Sequence, residues 1–179
     1  MATIMSGYDQ TKTLEEVATT QADERLDDIR KLLDVENNDD AEGEILTMEE
    51  IQTIENEIGK LYEYGLSFGP VCTHMESNYC EDCENYGETF SYYKYEISWG
   101  GPSETVLWKI DNDHNHDKYG RCINPNWTCE FVYKEWFKSH TITLTGDQHD
   151  TAVEWLYAFI DCGQGGWGTH LNHVCEGDK

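Results

Sequence analysis

No stretch of eighteen apolar residues occurs in this sequence, and it does not open on a basic segment followed by an apolar one. Neither a membrane-spanning helix nor a secretory leader is therefore expected. The familiar catalytic signatures are missing too. There is no nucleophile elbow, no phosphate-binding loop, no His-Glu-x-x-His, and no dinucleotide fingerprint between a strand and a helix. Positive charge is scarce: twelve Lys and Arg face thirty-six Asp and Glu, for a formal net charge of −24 over 179 residues. Such a charge repels itself and argues against a polyanionic substrate. These absences make an enzyme the weaker class. With so many carboxylates, Glu/Asp pairs arise by chance and do not signal acid–base chemistry. A metal-dependent hydrolase, needing three ligands, an open position and a base, stays as an alternative.

What the chain does have is material for a core. Hydrophobic residues make up 38%, with six Trp and eleven Tyr, which points to a folded domain rather than a disordered acidic segment. Seven cysteines is an odd number, so internal pairing cannot be complete. A cytoplasmic chain is expected, where thiols are free or bind metal.

The first seventy residues read as helices. Thr13-Leu14-Glu15-Glu16 is a capping box. Leu14, Val17, Ala18, Ala22, Leu26, Ile29 and Leu33 follow at helical spacing. Asn37 to Asp40 breaks the pattern. A second capping box, Thr47-Met48-Glu49-Glu50, opens a helix with the stripe Met48, Ile51, Ile54, Ile58 and Leu61, and Gly65 is the expected stop. The two stripes would be buried as an antiparallel pair, or as arms of a homodimer. From Gly69-Pro70 to about Tyr86 the chain reads as turns. Strands are expected over 89–99, 105–110, 130–137 and 141–144, with a polar loop over 111–125 and a closing helix from about Gln148 to Asp161. The fold class is α+β: a helical pair, then an antiparallel sheet with a C-terminal helix on one face. The expected division is an acidic helical region, 1–68, and a Cys/His-containing α+β domain, 69–179.

The negative charge is not confined to a tail. Residues 1–70 hold eighteen acidic and five basic residues, and residues 71–179 hold eighteen and seven. On the first helix Glu16, Asp23, Glu24, Asp27 and Asp28 fall opposite the apolar stripe; on the second, Glu49, Glu50, Glu55 and Glu57 do. Carboxylates three or four residues apart on a helix have Cβ atoms roughly 5–6 Å apart, comparable with the advance of about 3.4 Å per phosphate along a DNA strand. A rigid acidic helix can thus occupy Lys and Arg that grip nucleic acid. A solvated face, or halophile-type hydration, explains the same residues on any one helix. The excess in both halves of the chain favours display to a basic partner.

Cysteine and histidine cluster as Cys72-Thr73-His74 and Cys80-Glu81-Asp82-Cys83, with further candidates at Cys122, Cys129, Cys162 and His170-x-x-His173-x-Cys175. Two thiolates in Cys-x-x-Cys reach one Zn²⁺ at about 2.3 Å. Cys80 and Cys83, completed by Cys72 and His74, are the expected ligands of a structural Zn²⁺. No second Cys-x-x-Cys at finger spacing is present, and free or packed thiols are the alternative. His114-Asn115-His116 reads as part of an exposed loop.

The run Ser91-Tyr92-Tyr93-Lys94-Tyr95-Glu96-Ile97-Ser98-Trp99-Gly100-Gly101-Pro102-Ser103, then Phe131-Val132-Tyr133-Lys134-Glu135-Trp136-Phe137 and the closing helix with Trp155, resembles small proteins of phage and mobile elements. That group includes acidic anti-CRISPR and anti-restriction proteins, and the resemblance covers about residues 89–161. It implies an inhibitor of a host defence nuclease in the bacterial cytoplasm. The expected partner is a Cas nuclease or restriction enzyme, bound through the helical carboxylates; nucleic acid and membrane are not expected partners. Tyr92, Tyr93 and Trp99 would anchor the contact where they face outward. The alternative is a zinc-stabilised interaction module whose acidity is incidental.

Overall fold

A computed structural model describes residues 12–38, 46–72, 90–98, 102–110, 115–116, 122–123 and 126–161. Helix α1 spans Leu14–Glu36 and helix α2 spans Met48–Ile58. Both start as the capping boxes require. Thr13 Oγ1 accepts from the Glu16 amide at 3.2 Å, and Glu16 Oε2 accepts from the Thr13 amide at 2.7 Å. Thr47 and Glu50 repeat the exchange at 3.3 and 2.8 Å. Each box satisfies two amides that a helix N-terminus would otherwise leave unpaired. Helix α2 ends at Gly59 rather than at the expected Gly65. Gly59 holds φ of 99°, a conformation natural to glycine. Gly65 serves a different need: a Cβ there would run into the Tyr95 ring.

The strands are β1 (Ser67–Cys72), β2 (Phe90–Ser98), β3 (Ser103–Ile110), β4 (Asn115–His116), β5 (Cys122–Ile123), β6 (Trp127–Glu135) and β7 (Lys138–Thr143); helix α3 (Asp147–Asp161) follows. Strands β1-β2-β3-β6-β7 form one sheet in that order, with every neighbouring pair antiparallel. The pair β4–β5 is a short ribbon between β3 and β6. The architecture is the expected α+β, with two departures. Strand β1 replaces the start of the expected turn-rich segment and runs across the expected 68/69 division. Pro70 cannot donate to a ladder, yet it is tolerated because β1 is an edge strand. The strand expected over 130–137 stops at Glu135, because Trp136 and Phe137 make the reversal into β7.

Alternation sorts the sheet into two faces. Tyr93, Tyr95, Ile97, Val106, Trp108, Cys129, Phe131 and Tyr133 are buried on one face. Helices α1 and α3 lie over it and contribute Ala18, Ala22, Leu26, Ile29, Leu32, Leu33, Ala152, Trp155, Leu156 and Phe159 to the same core. The α1 stripe is thus covered within the chain. Most of its predicted residues are buried, with Leu14 and Val17 partly so. The α2 stripe is only half used: Ile54 and Ile58 pack against the core, Leu61 is buried in a short 3₁₀ turn, and Met48 is 77% exposed. Aromatic rings interlock at the centre. Tyr95 and Trp155 have centroids 4.4 Å apart, Phe68 and Phe159 4.7 Å, and Trp108 meets Trp155 edge-on at 5.5 Å. Such pairs contribute about 0.5–1.5 kcal/mol each beyond their burial.

Candidate partner-binding surface

The folded chain separates its charges. The three helices carry sixteen Asp and Glu against three Lys and Arg; the five strands of the main sheet carry four of each. The apolar stripes of α1 and α3 face the sheet, which leaves their carboxylates on the outside. The two helices lie side by side. Contacts advance along both together: Gln148 donates to Asp23, Arg30 to Thr151 at 3.2 Å, and Asn37 to Glu154 at 2.9 Å. Asp147, Asp150 and Glu154 of α3 are exposed and extend the acidic layer begun by α1. The sequence reading missed them because it took α3 only as a cover for the sheet. Its polar face, read at the same helical period, would have shown them.

All three helical cations are held within the chain. Arg25 Nε lies 2.7 Å from Glu104 on β3, Arg30 bonds Thr151 and the Asp147 carbonyl of α3, and Lys31 Nζ lies 2.7 Å from Asp27. The Asp27 bond raises the Lys31 pKa. Burial works against the Arg25 charge, and the interactions with Glu104 and Tyr64 together more than overcome it.

The expected carboxylates fall into two groups. Glu16, Asp23, Glu24, Asp27, Glu49, Glu50 and Glu57 are exposed, and Asp28 and Glu55 are half-exposed. Several also serve the fold. Glu16 and Glu50 close the capping boxes, whose bonds from Thr13 and Thr47 hold both carboxyls below their ordinary value. Asp28 accepts from the Tyr64 hydroxyl at 3.0 Å, and Glu24 from Gln21 at 3.0 Å. The carboxylates of Glu49 and Glu55 make no hydrogen bond or ion pair among the described residues.

No described element covers the other face of the sheet. Glu96, Thr105, Val132 and Thr141 lie in one cross-strand row, and Lys94, Leu107, Glu130 and Thr143 in the next. Two lysines of this face find local partners: Lys94 bonds Glu96 at 3.0 Å and Lys109 bonds Glu130 at 2.7 Å. A depression of about 200 Å³ between Tyr92, Leu107, Val132 and Lys134 also takes in Lys94 and Glu96, two cations against one carboxylate. It offers no convergent set of catalytic groups.

The expected aromatic anchors are not brought together. Tyr93 is buried beneath the helices, Tyr92 is half-buried on the open face, and Trp99 lies outside the described residues. Among the described residues, the strongly exposed aromatics are instead Trp136 and Phe137 at the β6–β7 turn. Nothing in their neighbourhood announces a turn, since no Gly, Asn, Asp or Pro stands between Glu130 and Lys138.

Of the expected zinc ligands, the backbone of Cys72 ends β1, while His74, Cys80 and Cys83 lie outside the described residues. Cys72 sits opposite Phe90, so the ends of the segment holding the other three are pinned side by side. Among the described residues, no group of three or more His, Cys, Asp or Glu is placed to hold a metal, and Cys129 is buried in the core. Also among them, no helix is long and apolar enough to cross a membrane.

No protein-family model, curated protein or solved structure matches the chain.

Proposed function

We propose that the chain is an inhibitor of a host defence nuclease, a Cas nuclease or restriction enzyme, acting in the bacterial cytoplasm as an acidic stand-in for nucleic acid. One observation carries this reading: the helical layer holds sixteen acidic residues, and each of its three cations is tied to a partner inside the chain. The outward field of that layer is therefore set by carboxylates, on three helices that pack against a shared core. A basic channel that grips phosphates would meet charges of the same sign as its substrate, at comparable spacing. Complementary fields speed the encounter, and the occupied channel excludes DNA or RNA. The chain carries out no chemistry in this scheme.

The test is cleavage of a DNA substrate by purified Cas nucleases and restriction endonucleases with increasing amounts of this protein. Inhibition should be relieved by excess DNA. It should weaken at least tenfold when Asp23, Glu24, Asp27, Glu49, Glu55 and Glu57 are changed together to their amides, with the thermal melt retained. Undiminished inhibition by that variant would reject the acidic layer as the inhibitory surface.

A further inference from the structure

The β6–β7 hairpin tip has features that the acidic layer does not explain. Glu135 pairs with Lys138, so Trp136 and Phe137 alone make the reversal. Two-residue reversals between antiparallel strands favour Gly, Asn and Asp, because their central residues take positive φ. Here Trp136 holds φ of 54°, in a region where a bulky side chain is strained. Neither ring is used by the fold: Trp136 is 88% exposed and Phe137 102%. Backbone strain at Trp136 and apolar exposure at both Trp136 and Phe137 coincide in one two-residue turn, and no contact among the described residues compensates for either. Strain retained in this way marks functional positions, and exposed aromatics are the side chains that most often anchor protein interfaces.

We infer that Trp136 and Phe137 insert into an apolar pocket on the protein partner, beside the basic surface that the helices engage. The inference rests on the inhibitor reading above. Strands β6 and β7 are also the strands against which α1 packs, so the tip projects from the part of the sheet that carries the acidic layer. The charge of the chain selects the occupant. Nucleic acid, anionic lipid and a second copy of this chain would each meet a net charge of −24 with charge of the same sign. A neutral bilayer would gain only two side chains, whereas a whole myristoyl chain already gives only marginal binding, about 10⁴ M⁻¹. A pocket in a basic protein has neither drawback. The layer would then govern the rate of encounter and the tip the lifetime of the complex.

The test compares the wild-type protein with Trp136→Gly/Phe137→Asn, a pair suited to the turn, and with Trp136→Ser/Phe137→Ser. Matching thermal melts check the fold. Inhibition is measured on the same panel of purified Cas nucleases and restriction endonucleases at low and high salt, and binding is measured to phosphatidylcholine vesicles. The expected result is that both variants inhibit the susceptible enzyme at least tenfold more weakly, through faster dissociation, with the salt dependence unchanged and no vesicle binding by any form. Equal potency of wild type and variants would overturn the anchor and leave the inhibitor reading standing. Vesicle binding by wild type that both variants lose would replace the pocket with a bilayer. Failure of the wild type to inhibit any enzyme would overturn the inhibitor reading, and the anchor with it.

Discussion

Glu104 is 2% exposed on the helix-covered face of β3, and its Oε2 accepts a 2.7 Å hydrogen bond from Nε of Arg25 on α1. The Arg25 guanidinium also lies against the Tyr64 hydroxyl, which donates to Asp28. A carboxylate, a guanidinium, a phenol and a second carboxylate thus link the sheet, α1 and the segment after α2. Burying Glu104 without a cation would leave it uncompensated. The pair therefore fixes where α1 sits over the sheet, and with it the orientation of the acidic layer.

Removing Arg25 should be more damaging than removing both partners. Arg25→Met strands a buried charge, and the expected loss is about 3 kcal/mol, the low end for a broken buried pair because Arg25 is one-third exposed. Arg25→Met with Glu104→Leu should recover most of that loss, since a packed apolar pair often replaces a buried ion pair without penalty. Urea unfolding of the two variants and of Glu104→Leu completes the cycle. A double variant as unstable as the sum of the singles would show that the two residues act independently.

Two tryptophans of the same core should respond differently to loss of the indole nitrogen. Trp108 Nε1 donates to the Ala152 carbonyl at 2.8 Å, joining β3 to α3. Trp155 Nε1 is buried with no acceptor among the described residues. Both substitutions by Phe leave a cavity. Trp108→Phe also gives up a buried bond, about 1 kcal/mol, whereas Trp155→Phe removes an unsatisfied donor and gains part of the cavity penalty back. Urea midpoints should rank Trp108→Phe clearly below Trp155→Phe, and the reverse order would contradict the assigned geometry.

How much of this was legible beforehand depended on range. The capping boxes at Thr13 and Thr47 are local exchanges between a residue and its third neighbour, so the sequence alone located both helix starts. The period of α1 and α3 showed their buried faces for the same reason. Strand β1 was hidden because Gly69-Pro70 is a turn signal in isolation and becomes an edge strand only beside β2. The Trp136-Phe137 turn was hidden because its residues have strand propensity, and only the pairing of Glu135 with Lys138 forces the reversal there. The acidic faces of α1 and α2 could be read, but the confinement of Arg25 and Arg30 could not. Their partners, Glu104 and Thr151, are 79 and 121 residues away.

The capping carboxyls give the chain a specific acid response. Glu16 and Glu50 each hold a pKa below the ordinary 4.5 because they accept bonds from Thr13 and Thr47. A carboxyl lowered by folding contributes in full above its unfolded value, and that contribution disappears as pH falls through the lower folded value. Helix ellipticity followed from about pH 6 to about pH 3 should therefore fall through this window. Glu16→Gln with Glu50→Gln keeps acceptors that suit a capping box but no longer titrate, so its profile should be flatter. Superimposable profiles would mean that the boxes contribute nothing on the acid side.

Salt should move stability and inhibition in opposite directions. The net charge of −24 repels itself within the folded chain, most strongly among the crowded carboxylates of the helices, and added ions screen that repulsion. The screening length falls from about 10 Å at 0.1 M to about 3 Å at 1 M, which spans the distances between neighbouring carboxylates. The melting temperature should therefore rise with NaCl. Binding to a basic channel uses the same charges in the opposite sense, because each ion pair across the contact is weakened by the same screening. Buried pairs such as Arg25–Glu104 are screened far less, so the fold and the orientation of the layer persist while the affinity falls. Melting and inhibition measured over one salt series should give curves of opposite slope. Inhibition that holds constant while the melt rises would mean that the carboxylates repel one another but do not face the partner, and the acidic layer would then be a solvated surface.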